Sequence, residues 1–463
     1  MRIAVPDVIE PLDRLGRVHF VGIGGAGLSA IARLMAQAGV EVTGSDAHDS
    51  PVLAALRSEG IDVVVGHDPA RLDGVDTVIA TTAVREDNPE IVEAQRRGLR
   101  LWPRSAGLQS VLLGGRAIAV AGTHGKTTTT AMLTCALRGA GVDPSFAIGA
   151  EVPSLGTNAS RGSDAVIVAE ADESDGAFLV YTPHGVVVTN VDADHLDQWG
   201  TEEAYAAAFD EFVSHARGFV VINLDDPGAA RLAGTTRSEV PLLTAGFSDA
   251  AALRGSDLVV RGDGTSFIAR LGDGEPVRVE LGVPGEHYAV DALLALGAGL
   301  MLGHEAGALA AGLRSYTGAA RRMQLLGAAG GVRVYDSYAH HPTEIAADLA
   351  AARAIAGDDR LVVAFQPHLV SRTRIYGRRM GAALSAADRV VVADLYLARE
   401  DPDPDVTSAL VAEAVDGPPS SVGGPVESLH EVLVGELRPG DLLLTLGAGD
   451  ITTVGPRVLE ALA

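Results

Sequence analysis

The stretch AIAVAGTHGKTTTT, residues 117–130, decides the fold. Ala117–Ala121 is a short apolar run that reads as a buried strand, and Thr127–Ala140 reads as the helix after it. Between them, Gly122-Thr123-His124-Gly125-Lys126-Thr127 is a glycine-bearing loop that feeds a helix N-terminus. In such a loop the backbone N–H groups wrap a phosphate, the lysine reaches the outer phosphates, and the threonine hydroxyl meets Mg2+. Val120 stands where the full phosphate-loop pattern has its first glycine, so this loop is a shorter variant. Lys126 is also the only lysine in the chain; every other basic residue is arginine. A compact ammonium and a planar guanidinium are not interchangeable in a tight phosphate loop, which marks Lys126 as functional.

Strands and helices alternate on both sides of this stretch. Upstream, Arg17–Val21, Val40–Thr43, Asp62–Val65 and Thr77–Ala80 read as strands, with helices at Leu28–Ala38, Pro51–Ser58 and Pro89–Arg97. Arg104–Arg116 reads as a connector. Downstream, strands at Ala165–Ala169, Val186–Thr189 and Phe219–Ile222 frame a helix at Glu202–His215. Short pieces at Leu258–Val260, Ser266–Ala269 and Val277–Leu281 suggest a small antiparallel appendage, followed by an apolar helix, Tyr288–Leu302. A third run holds strands at Val332–Tyr335, Leu361–Phe365, Val390–Ala393 and Leu442–Leu446, with helices at Pro342–Ile355 and Ile375–Ala386. The expected architecture is three consecutive α/β domains with boundaries at 1–113, 114–318 and 319–463.

Composition narrows the function. The chain has 463 residues, 36 basic against 60 acidic, and a formal charge of −24. That balance repels a phosphate backbone, so no nucleic acid and no anionic membrane is expected as a partner. A single cysteine, Cys135, excludes an internal disulfide and a cysteine-cluster metal site; in the helix after the loop it reads as core. Asp7, Glu10, Asp13 and Arg14 interrupt the N-terminal region, which speaks against a secretory leader. A cytoplasmic enzyme with no obligate protein partner is expected.

Further motifs carry chemistry. Gly22-Ile23-Gly24-Gly25-Ala26-Gly27 follows one strand and opens a helix, a setting in which backbone N–H groups receive a diphosphate. Asp46, at the end of the next strand, sits where an acid meets a ribose hydroxyl. Two acidic stretches follow strands of the central domain: Glu170-Ala171-Asp172-Glu173-Ser174-Asp175 and Asn190-Val191-Asp192-Ala193-Asp194-His195. Ligands gather at the carboxyl ends of parallel strands, so these stretches suit a metal lying over the phosphates. In the third run, Arg321-Arg322, Asp336 to His341 and Gln366-Pro367-His368 form a candidate substrate-facing rim. These residues describe an ATP-using enzyme that acts on a nucleotide-bearing substrate. A nicotinamide-dependent oxidoreductase is the competing class, but it leaves Lys126 and the acids unexplained.

The motifs together resemble the Mur ligase family. The resemblance runs from HFVGIGGAGLSAIA (His19–Ala32) through AGTHGKTTTTAML, AEADESDGAFL, TNVDADHLD, PGEH, DSYAHHPTE and FQPH to LGAGD, covering nearly the whole chain in order. It implies a domain for a UDP-sugar, a central ATPase domain and a closing Rossmann-like domain. By the resemblance, Gly22, Gly24, Gly25 and Gly27 hold the UDP diphosphate, with Asp46 and His67 near the uridine. Gly122, Thr123, His124, Gly125, Lys126, Thr127 and Thr128 hold ATP, with His287 near it. Thr127, Glu170 and His195 match the family's Mg2+ positions. Lys126, Glu170, His195, Arg322 and Asp336 are the implied catalytic set, and His341 and His368 face the incoming amino acid.

The implied reaction joins L-alanine to the carboxylate of UDP-N-acetylmuramate through an acyl phosphate, in peptidoglycan precursor synthesis. A related ligase that recycles a murein tripeptide onto the same sugar is the nearer alternative. The chain departs from the family's His-Asn-x-x-Asn at Tyr288 and Asp291, and from its Asp-Asp-Tyr-Gly-His-His at Ser337 and Ala339. Members that add later residues use a carbamylated lysine, which this chain has no second lysine to supply.

Overall fold

The computed structural model describes residues 3–81, 84–174, 176–262, 264–398 and 400–463, so Asp175 of the first acidic stretch lies outside the described residues. Three α/β sheets are present, and the chain divides into two compact units. One unit runs up to Gly255 and adds Ala269–Val277 and Asp291–Leu313; the other holds Ser256–Ile268, Arg278–Val290 and Arg314–Ala463.

The first unit contains two sheets. In space the N-terminal one runs Asp62–Val65, Val42–Asp46, Val18–Val21, Thr77–Ala80, Arg100–Pro103, all parallel. The chain winds outward in both directions from Val18–Val21, whose carboxyl end leads into Gly22. That reversal of strand order opens a crevice there. The central sheet runs Leu242–Gly246, Phe219–Asn223, Gly185–Val188, Arg116–Ala121, Val166–Glu170, Ser145–Val152, again parallel. Thr157–Ser160 pairs antiparallel to Ser145–Val152 at its edge. Arg116–Ala121 therefore lies between the two strands that end in acidic stretches, and the loop after it faces both. One apolar core joins the two sheets, from Ile31 and Leu34 through Val111 and Leu112 to Ala119, Ala169 and Val186.

Arg104–Arg116, expected as a connector, is mostly a helix, Arg104–Leu112, entered from the unanticipated strand Arg100–Pro103. From Ser105 to Leu112 every residue is buried. A helix enclosed on all sides carries no amphipathic stripe, so its sequence lacks the period that reveals surface helices. Strands Ser145–Val152, Thr157–Ser160 and Leu242–Gly246 were equally unmarked. Val40–Thr43 was expected as a strand, but the strand begins at Val42 and extends to Asp46. Two of the expected appendage strands are longer than their apolar pieces, Leu253–Arg261 and Gly264–Leu271, while Val277–Leu281 has the bounds expected; the three are adjacent in that order.

The second unit holds the C-terminal sheet. Gln324–Ala329 is antiparallel to Val332–Ser337, and Leu442–Leu446, Leu361–Phe365, Arg389–Ala393 and Ser420–Gly424 follow in parallel. Apolar cores cover both faces. The inner strands read as continuous hydrophobic runs because both faces are buried. Edge strands Gln324–Ala329 and Ser420–Gly424, half-exposed and rich in small residues, gave no such signal.

The loop helix, Lys126–Gly139, is seated by close backbone approach to Ala306–Leu313. A Cβ built on Gly139 would stand 2.3 Å from Gly312 Cα, and one on Gly312 would stand 2.4 Å from the Cys135 carbonyl oxygen. Neither backbone can give way as a side-chain tip would. Gly312→Leu is therefore expected to destabilise the chain by about 3 kcal/mol or more, read as a lower urea midpoint. A midpoint equal to the parent's would show that the two helices are not locked by this contact.

Candidate active site

At the first loop, Gly22 has φ +83, and its amide and that of Ile23 both donate to the Ser45 carbonyl. Gly25 caps helix Ala26–Gln37. Asp46 Oδ2 accepts the Gly24 amide at 2.8 Å, and a Cβ on Gly24 would lie 2.9 Å from that oxygen. The acid expected near the ribose thus also braces the loop. His67 Nδ1 lies 2.9 Å from Ser45 Oγ and 3.0 Å from Glu90 Oε2. Glu90 was not anticipated. It is fully buried at the start of helix Pro89–Arg97, accepts the Asp68 amide at 3.1 Å, and lies 3.5 Å from His19 Nε2. Burial opposes its charge, but the adjacent His19 imidazole and the hydrogen bond from Ser45 hold its carboxyl below the usual range.

The second loop is built by two left-handed glycines. Gly122 has φ +140, and a Cβ there would fall 1.9 Å from Thr189 Oγ1, so only glycine fits. Gly125, at φ +79, opens the helix. The loop is latched to the neighbouring strand end: the His124 amide donates to Asn190 Oδ1 at 2.9 Å, and Asn190 Nδ2 donates to the His124 carbonyl at 3.0 Å. Thr123 Oγ1 donates to the Asp192 carbonyl at 2.7 Å. Thr127 and Thr128 are buried behind Lys126.

Lys126 curls over its own loop. Its Nζ donates to the carbonyls of Gly122 (2.7 Å) and Thr123 (3.1 Å) and lies 2.8 Å from Glu173 Oε2. Burial works against its charge, but Glu173 and Asp172 hold its pKa above the ordinary lysine value. Glu173, completely buried, is pushed upward by that burial while Lys126 opposes the shift. In the sequence Glu173 is one acid of the stretch Glu170 to Asp175, and only its spacing from Glu170 sets it apart.

The expected metal residues come from three neighbouring strand ends. Thr127 follows Arg116–Ala121, Glu170 closes Val166–Glu170, and His195 lies beyond Gly185–Val188. Glu170 Oε1 accepts the Gly149 amide at 2.6 Å, which orients the carboxylate. His195 adopts φ +52, with its amide on Asp194 Oδ1 at 2.7 Å. A hydroxyl, a carboxylate and an imidazole fit Mg2+ in their two hard oxygen donors, the kind this ion prefers. Asp291, the departure from the family pattern, accepts the Thr129 hydroxyl at 3.1 Å and packs on Gly125. An acceptor is what that position needs here.

In the second unit, Asp336 is buried and enclosed by donors: Thr445 Oγ1 at 2.6 Å, Thr452 Oγ1 at 2.8 Å and Arg321 Nε at 3.2 Å. Arg321, rather than Arg322, is its cation. Arg322 lies 3.5 Å from Glu344 and over the Tyr338 ring. His341 is buried and caps helix Pro342–Ala356, its Nδ1 accepting the Thr343 amide. His368 stacks on Tyr396, with ring centroids 5.5 Å apart, and lies 6.1 Å from His340. His287, partly buried, has Arg322 as its charged neighbour.

Two glycine loops leave strand ends and open helices, and one of them carries a largely enclosed lysine beside carboxylates, in an α/β framework. Residues 17–115 match the Mur ligase family catalytic domain, residues 120–299 the Mur ligase middle domain, and residues 321–449 the Mur ligase glutamate ligase domain. A UDP-N-acetylmuramate–L-alanine ligase from a Nocardioides species is 59% identical, with 100% of each chain covered. Its counterpart from Kineococcus radiotolerans is 51% identical over 98% of each chain. The crystal structure of a UDP-N-acetylmuramate-alanine ligase from Thermotoga maritima matches with a TM-score of 0.82 at 28% identity, covering 96% of this chain and 98% of that one. The chain belongs to the Mur ligase family.

Burial and, after it, the charge of Arg322 hold the His287 imidazole down, at about 4. In the unfolded chain a histidine titrates near about 6.5. The unfolded state therefore takes up a proton that the folded state refuses, so this contribution is present above about pH 6.5 and is lost as pH falls towards 4. Urea melts from about pH 7 to about 4.5 are expected to lose stability more steeply in the parent than in His287→Gln. Equal slopes would remove His287 as the cause.

Proposed function

We propose that the chain is an ATP-dependent, ADP-forming ligase that joins L-alanine to UDP-N-acetylmuramate. The observation that carries this reading is Lys126, a partly buried ammonium in a glycine loop between two strand ends that bear acids. The names of the relatives, alike over the whole chain, supply the substrate pair. The sugar carboxylate attacks the γ-phosphorus of ATP, ADP leaves, and an acyl phosphate results. The alanine amine then attacks the acyl carbon and loses a proton, and phosphate departs with the C–O electron pair.

In this reading Gly22 to Gly27 hold the diphosphate, with Asp46 bracing the loop and His67 near the uridine. Lys126 draws off charge that develops on the outer phosphates, an effect strengthened where water is excluded. Thr127, Glu170 and His195 would hold Mg2+, which neutralises phosphate charge when bound. Arg322, His341 and His368 are assigned to the alanine end. Asp336, enclosed by its donors, serves by fixing Arg321 next to Arg322. The boundaries 1–113, 114–318 and 319–463 and a cytoplasmic location, where ATP is available, go with this reading. Among the described residues, no helix is long and apolar enough to cross a membrane.

Phosphate release with UDP-N-acetylmuramate, ATP and Mg2+ tests the assignment. It should require L-alanine and remain at background with the murein tripeptide or with no amine; the reverse preference would move the chain to the recycling reaction. Lys126→Arg is expected to lower turnover by roughly a hundredfold or more while melting like the parent, since a planar fork cannot sit among Gly122, Thr123 and Glu173 as an ammonium does. Retention of most activity would overturn the role of Lys126.

A further inference from the structure

We propose that Arg104 is a binding residue for the diphosphate of the nucleotide sugar, aimed at it by Asp172 from the acidic stretch beside the ATP loop. The inference rests on the reading of Gly22–Gly27 as the diphosphate loop.

Arg104 is the first residue of helix Arg104–Leu112. A cation is unfavourable at a helix N-terminus, where the backbone dipole prefers anions, so helix stability does not explain it. Its guanidinium spans two loops. Nη2 lies 2.8 Å from Asp172 Oδ2. On the other side, a Cβ built on Gly27 would stand 3.0 Å from Nη1 and 3.2 Å from Cδ. One end of the fork therefore rests on the acidic stretch while the other reaches the last glycine of the first loop. A side chain at Gly27 would push the guanidinium away, which gives that glycine a reason beyond backbone freedom.

Asp172 is itself held in place. Its Oδ1 accepts the Ser174 amide at 3.1 Å, leaving Oδ2 turned towards Arg104. Arg104 and Lys126 hold its carboxyl well below the usual range against the effect of burial. Arginine suits the task because its planar fork binds a carboxylate and a phosphate oxygen in fixed relative positions. Asp172 acts through Arg104 and is a positioning residue. If the pair served stability alone, as a partly exposed ion pair, it would contribute little and would not distinguish one ligand from another.

Calorimetric titration of the full chain with uridine and with UDP separates these roles. The parent should bind UDP more tightly than uridine. Arg104→Gln is expected to weaken UDP about tenfold or more while leaving uridine within about twofold. Asp172→Asn should weaken UDP alone, by about threefold. Unchanged UDP affinity in Arg104→Gln, or equal losses for UDP and uridine, would overturn the proposal. If Arg104→Gln fails to fold by circular dichroism, Asp172→Asn decides: UDP affinity equal to the parent's overturns it. A parent that does not favour UDP over uridine would overturn the diphosphate reading of the first loop and this inference with it. A parent that does, with variants that do so equally, would overturn only the role of Arg104.

Discussion

Taking an ammonium largely out of water is tolerable only where fixed acceptors replace what it loses, and several elements of the first unit do this for Lys126. Two carbonyls of the loop and the Glu173 carboxylate surround Nζ. The loop bends far enough to offer those carbonyls because Gly122 and Gly125 both take positive φ. Glu173 reaches the ammonium because its strand, Val166–Glu170, lies directly beside Arg116–Ala121. Sheet order, loop glycines and acid spacing thus meet at one nitrogen.

The same geometry recurs at the first glycine loop of the same unit. In each sheet a glycine-rich turn leaves the carboxyl end of an inner strand and opens a helix, an arrangement suited to anions because the first helical N–H groups lack partners within the helix. The Arg104–Asp172 ion pair joins elements that belong to different sheets. Arg33, buried in the first loop's helix, adds a contact to Asn158 of the central sheet and an ion pair with Glu59. A shared apolar core beneath them makes this part of the molecule one unit.

Most inner strands could be read from the sequence because both of their faces are buried: Thr77–Ala80, Leu361–Phe365 and Leu442–Leu446 have the bounds expected of them. Capped helices were equally legible. Pro51–Ser58 and Pro89–Arg97 begin at proline after Ser50 and Asn88, whose side chains accept from the first turn. The edge strands Gln324–Ala329 and Ser420–Gly424 and the enclosed helix Arg104–Leu112 were not, since the former carry small and polar residues and the latter has no amphipathic stripe. At the site, the loops and Lys126 announced themselves through residue type and local order. Glu90 did not, because a lone acid in a helix reads as surface until the fold buries it beside Ser45 and His67.

Whatever depends on neighbours along the chain was therefore open to inspection in the sequence: alternating strands and helices, two glycine loops at strand ends, and the single lysine. Pairings between distant residues were decided by tertiary structure alone. Glu173 on Lys126, Arg321 rather than Arg322 on Asp336, Asp291 on Thr129, and Arg104 between Gly27 and Asp172 all arise from strand order and helix packing. The physical reason is that a side chain's protonation, orientation and partner follow from its surroundings after burial, and those surroundings come from segments tens to hundreds of residues away.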